Sequence, residues 1–273
     1  MIMKKLICAS RLAAALLLGS SLLLAPVYAG ASADSRFGVE KFGEAPIREL
    51  ALKVNDELDA RKVNVAILAR SGRPRSELPK GISYTHVAFA VFEPVRGADG
   101  EVFHTYAVYN LYQGADGRDD RSYLKQDLTY DFVAGVAEKD VVVCVPVEAL
   151  QRRIAAAIRS PAYVALHNPD YNLLTNPWVD RFDNCVTHTL KVCMAALYET
   201  DDRARIYANI RTYFRPTPVR LGPIKSIGAH FVAGVSHEDM DRRRGLQTAS
   251  YDSLNAFLAE NGLVKEAFTI TMQ

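Results

Sequence analysis

Acidic residues are missing from the first 33 positions of the chain, although Lys4, Lys5 and Arg11 lie there. An apolar stretch runs from Leu12 through Val27, interrupted by Gly19, Ser20 and Ser21. Small residues follow at the spacing a signal peptidase reads, in Val27-Tyr28-Ala29 and again in Ala31-Ser32-Ala33. A positive start, an apolar middle and a small-residue exit predict a secretory signal. The apolar run is short for a membrane span of roughly 20 residues, and its exit argues for cleavage. Cys8 precedes the apolar core, the wrong place for a lipid-modified cysteine. The expectation is a signal peptide over residues 1–33 and one exported domain over 34–273, periplasmic or secreted, with no later transmembrane span.

Basic excess is also absent. Removing residues 1–33 leaves 30 of the 33 basic residues and all 31 acidic ones, a net charge of −1. Nucleic-acid binding would need clustered excess Lys and Arg. The run Arg242-Arg243-Arg244 follows Glu238, Asp239 and Asp241, and so reads as a solvated face.

Cysteine is scarce. The exported part holds Cys144, Cys185 and Cys193. An odd number leaves at least one thiol free or intermolecular, and three widely spaced thiols make no disulfide framework. No CxxC or HExxH pairing occurs, so neither a metal nor another cofactor is expected. Internal repeats and long low-complexity linkers are lacking as well.

What is present is a mixture of helical and strand patterns. Residues 34–43 read as a flexible lead-in. Glu44 to Lys62 has apolar residues near helical spacing, and Val63 to Ala69 is a short strand. Ser83 to Phe92 and Val102 to Tyr112 are rich in β-branched and aromatic residues and flank EPVRGADGE, which predicts a hairpin with a longer loop. Asp140 to Val147 is a valine strand buried on both faces. Glu148 to Arg159 is helical, and Pro161 to Asp180 is irregular. Asp183 opens a helix to about Glu199, and Asp201 to Phe214 forms another. Ser226 to Val235 is a strand, Tyr251 to Glu260 a helix, and Phe268 to Met272 a last strand. Helices mixed with mostly antiparallel strands predict an α+β fold.

The segment richest in chemistry is Asp183-Asn184-Cys185-Val186-Thr187-His188-Thr189-Leu190. With Asp183 as the cap, Cys185 falls in the first helical turn, where unpaired N–H groups and the helix dipole stabilise a thiolate. A small buried residue at a helix start is the plain alternative. Cys193 lies over two turns away, too far to bridge. It and Cys144 have core-like neighbours.

A thiol nucleophile needs a base, and the base an orienter. His86 opens the first hairpin strand and is the best base. If the hairpin closes around residues 93–102, His86 lies opposite residues 108–110. Asn110 falls there, and its amide oxygen can accept the imidazole N–H. His104 has the right chemistry but sits closer to the loop. His188 shares the cysteine's helix and reads as structural or substrate-facing. His167, His230 and His237 form no constellation.

The segments YTHVAFAV, TYAVYNLY and DNCVTHTL place a histidine strand, a strand with a polar residue and an Asn-Cys helix start in that order. This resembles the circularly permuted NlpC-like branch of the papain superfamily, which includes lecithin retinol acyltransferase and several bacterial lipoproteins. The exported part as a whole resembles the bacterial family known as domain of unknown function 2145. The resemblance implies an antiparallel sheet packed against the cysteine helix, with Cys185 as nucleophile, His86 as base and Asn110 as orienter.

The leading expectation is a thiol hydrolase or acyltransferase working through a Cys185 thioester on cell-wall peptide crosslinks, other amides or lipid acyl esters. A second class is a non-catalytic periplasmic binding or assembly protein, for which Tyr163, Tyr171 and Trp178 would line a pocket or a partner surface rather than pack as a covered loop. A third is a redox thiol, with Cys185 resolved by Cys144.

Overall fold

The computed structural model describes residues 36–97, 99–220, 235–241 and 243–273. The expected signal peptide and nearly all of the strand expected over Ser226–Val235 lie outside the described residues.

Among the described residues six strands form one sheet in which every neighbouring pair is antiparallel. They are β1 (Val65–Arg70), β2 (His86–Arg96), β3 (Val102–Gln113), β4 (Ser122–Leu128), β5 (Asp140–Pro146) and β8 (Val264–Thr271), ordered β4-β3-β2-β1-β5-β8. Thr217–Pro218 (β6) and Gln247–Thr248 (β7) form a separate short ladder. The fold is α+β, an antiparallel sheet packed with helices.

Side chains alternate between the faces of a strand. On one face Ala66, Leu68, Ala88 and Val143 meet α2 (Glu44–Ala60) and α3 (Thr129–Ala134). On the other, Ile67, Val87, Phe89 and Cys144 meet α4 (Glu148–Arg159), α6 (Cys185–Tyr198), α7 (Arg203–Tyr213) and a helix over Tyr251–Glu260, α8. Both faces are thus covered, which is why β1 and β5 carry almost unbroken apolar runs. Full burial of each Val, Leu or Ile contributes roughly 1.5–3 kcal/mol.

The residues expected to form a loose lead-in contain a helix instead, α1 (Phe37–Phe42). Gly38 lets it approach the turn after α3. A Cβ there would lie 2.9 Å from the carbonyl oxygens of Ala134 and Val136. The irregular stretch after α4 holds one helical turn, α5 (Ala162–Ala165).

β2 runs four residues beyond its expected end, through Pro94. Proline is tolerated because β1 pairs with β2 only as far as Val91, so no ladder bond on that side is lost. The hairpin therefore closes at Arg96–Val102. Carried along the strand, this register sets His86 across from Tyr112, two residues past Asn110.

Candidate functional site

Cys185 is the first residue of α6, but the cap is Asn184, not Asp183. Asn184 has extended backbone and its Oδ1 accepts the Thr187 N–H at 2.8 Å. Its Nδ2 donates to the Leu173 carbonyl at 3.1 Å, tying the helix start to the preceding loop. Asp183 is engaged elsewhere: its Oδ2 accepts from Lys191 Nζ at 2.7 Å and from the Asn168 N–H at 2.8 Å. That loop is itself gathered around the buried Asp239, which accepts from Asn172 Nδ2, Thr175 Oγ1 and the Asn176 N–H.

The Cys185 thiol is buried and donates to the Thr85 carbonyl at 3.7 Å. Burial raises its pKa. The amides of Val87, Val186 and Cys185 itself, and the charge of Arg70, offset part of that rise. The helix start therefore favours thiolate, as its position predicts, but desolvation outweighs it and the resting group is a thiol.

His86 is also buried, and its Nε2 lies 2.9 Å from Asn110 Oδ1. The expected partner is thus reached, although from a different register. Asn110 meets the ring diagonally, while the residue facing His86, Tyr112, stacks on it with centroids 5.0 Å apart. Burial first, then the Arg70 charge, push the His86 pKa down to about 3, against the raising effect of the Asn110 hydrogen bond. The imidazole is neutral.

Thiol and ring approach β2 from different sides. His86 packs against Phe132 of α3, whereas Cys185 packs with Val87 in the other core. They meet at the first residues of β2, where the sulfur contacts the backbone on either side of His86. Among the described residues no hydrogen bond joins Sγ to the His86 ring.

His104 is exposed and pairs with Pro94, away from this site. His188 is buried on α6 against Tyr163, with its Nδ1 4.0 Å from Asp183 Oδ2. His167 Nε2 lies 2.9 Å from Ser122 Oγ. Tyr163 and Tyr171 are buried core residues, and half-buried Trp178 packs beneath Arg244, so these aromatics serve as packing. Cys144 and Cys193 are buried free thiols, Cys144 pushed up to about 12 and Cys193 also raised, both by desolvation first.

Two neighbours of the site escaped the sequence. Arg70, the last residue of β1, is the direct cross-strand partner of His86. Asp127, on the unpredicted strand β4, accepts from Asn110 Nδ2 at 3.2 Å and from Tyr112 Oη at 2.7 Å. Polar residues fill most of β4, as suits an edge strand, so no apolar period marked it.

A family model described as an uncharacterized protein conserved in bacteria (DUF2145) matches residues 57–258. No curated protein and no solved structure matches the chain. Among the described residues no helix is long and apolar enough to cross a membrane.

Proposed function

The chain belongs to that bacterial family, and from its site we propose an exported papain-like thiol hydrolase or acyltransferase, permuted so that the histidine strand precedes the cysteine helix. The observation that carries this reading is the 2.9 Å contact of His86 Nε2 with Asn110 Oδ1, with the thiol on the first residue of a helix against the backbone next to His86 in β2. Asn110 occupies one ring nitrogen and leaves Nδ1 to act as base.

In this mechanism the first residues of β2 rearrange so that the thiol, released from the Thr85 carbonyl, meets His86 Nδ1, which takes its proton as sulfur attacks a carbonyl carbon. The oxyanion takes the Cys185 N–H at the helix start. His86 then gives the proton to the departing amine or alcohol, leaving a thioester on Cys185. Water or another acceptor, deprotonated by His86, releases the acyl group. A neutral imidazole suits the first step. Amides, including peptide crosslinks of the cell wall, and lipid acyl esters are the proposed substrates.

The rival reading, a binding or assembly protein retaining the fold, draws on the Sγ hydrogen bond to Thr85 in place of the ring. Alkylation with iodoacetamide, read per cysteine by mass spectrometry, separates the two. Catalysis predicts that Cys185 reacts at least about tenfold faster than Cys144 or Cys193, and that His86→Gln removes most of the advantage. Equal rates for the three thiols in the folded protein, or an advantage indifferent to His86→Gln, would overturn the catalytic reading.

A further inference from the structure

The hydrogen bonds around Asn110 dictate which way its amide faces. Its nitrogen side lies 3.0 Å from the Val108 carbonyl and 3.2 Å from Asp127 Oδ2. A carbonyl oxygen and a carboxylate only accept, so the group between them must be the NH2. The amide oxygen is then forced towards His86. An oxygen 2.9 Å from Nε2 needs a donor, so Nε2 carries the hydrogen and Nδ1 the lone pair. Reversing the amide would aim NH2 at the ring and turn an oxygen on two acceptors.

Asp127 holds the second restraint too. Its Oδ2 also accepts from Tyr112 Oη at 2.7 Å, and the Tyr112 ring is nearly parallel to the imidazole, at 16°. One carboxylate oxygen thus anchors both the group on the edge of the ring and the group on its face. Oδ1 pairs with Lys125 Nζ at 3.1 Å. Burial of Asp127 makes loss of these partners costly.

We propose that Asp127 is a positioning residue of the Cys185–His86 site: by fixing the Asn110 amide and the Tyr112 ring it locks His86 in the tautomer with hydrogen on Nε2 and a basic Nδ1. The proposal rests on the thiol-hydrolase reading for its purpose, but not for its measurement. A ring held in the other tautomer would present a hydrogen, not a lone pair, to the thiol.

The test is long-range 1H–15N correlation of the imidazole in histidine-labelled protein at neutral pH, with the His86 signals assigned by their loss in His86→Gln. The wild type should show His86 in the Nε2–H form alone. Asp127→Ala removes one of the two acceptors of the Asn110 NH2 and the only one it shares with Tyr112, leaving the Val108 carbonyl, and Asp127→Asn replaces it with a near-isosteric amide that can present either group. In each, a second population with hydrogen on Nδ1 is expected, and Cys185 alkylation should fall in proportion to the share of the Nε2–H form that is lost. Asp127→Asn keeps the volume of the site should the smaller side chain compromise folding. His86 remaining wholly in the Nε2–H form in a folded Asp127 variant overturns the lock. If the tautomer shifts as expected while wild-type Cys185 reacts no faster than the other thiols, the lock stands and the hydrolase reading falls.

Discussion

Lys191 and Asp183 form an ion pair with no solvent contact: Nζ lies 2.7 Å from Oδ2 and both side chains are 0% exposed. Lys191 belongs to α6, whose residues from Cys185 to Ala196 are all buried. Burial is the first influence on both groups, raising the pKa of Asp183 and lowering that of Lys191. Desolvation thus outweighs their attraction. Lys191→Met should cost about 3–5 kcal/mol by stranding a buried carboxylate. Asp183→Asn in the same chain keeps an acceptor for the Asn168 N–H and removes the stranded charge, so the double variant should recover more than half of the loss. Urea denaturation of both variants checks this, and a double variant no more stable than Lys191→Met would refute the desolvation argument.

Gly135 makes room for the buried guanidinium of Arg70. A Cβ on Gly135 would lie 2.5 Å from Nη2 and 2.6 Å from Cζ. Its backbone, at φ −95° and ψ 13°, suits any residue, so the demand for glycine is steric. Gly135→Ala should therefore destabilise by about 1–3 kcal/mol, where a gain would follow if only chain entropy mattered. Arg70→Leu combined with Gly135→Ala should cost less than the sum of the single variants. Additive losses in urea titrations would show that the two residues do not collide.

Acid should weaken the fold before most carboxylates titrate. His86 is lowered to about 3, His167 to about 4 and His188 well below the ordinary range, each by burial first. A depressed pKa means that the unfolded chain takes protons the native chain refuses. The stability is present above about pH 6.5 and is lost as pH falls towards 3. His86 alone should account for roughly 1.4 kcal/mol per pH unit in that window. The raised carboxyls of Asp127 and Asp183 act in the opposite sense at its acid end. Urea midpoints from pH 7.5 to 4.5 should fall less steeply for His86→Gln than for the wild type, and identical slopes would contradict the assignment.

Much of the fold was legible because its signals are local. Glu148–Arg159 and Tyr251–Glu260 begin and end where apolar spacing places them. The strands of the hairpin and the valine strand β5 were visible in their composition. β4 and α3 were not. The first is a largely polar edge, and the second is six residues long, too short to show a helical period. The hairpin register could not be fixed either, because Pro94 reads as a strand breaker until its missing N–H is seen to face no partner.

The candidate site divides along the same line. The sequence by itself determined that Cys185 lies in the first turn of a helix, that His86 lies at the start of a strand and that a polar residue follows on the partner strand, because each depends on a short window of chain. Only the tertiary structure decided that Asn184 caps the helix, since Asp183 is taken by Lys191. It also decided that Asn110 reaches His86 diagonally and that Asp127 and Arg70 surround the ring. These outcomes depend on which groups compete for a buried partner and how much water burial removes. Residues distant in sequence settle both.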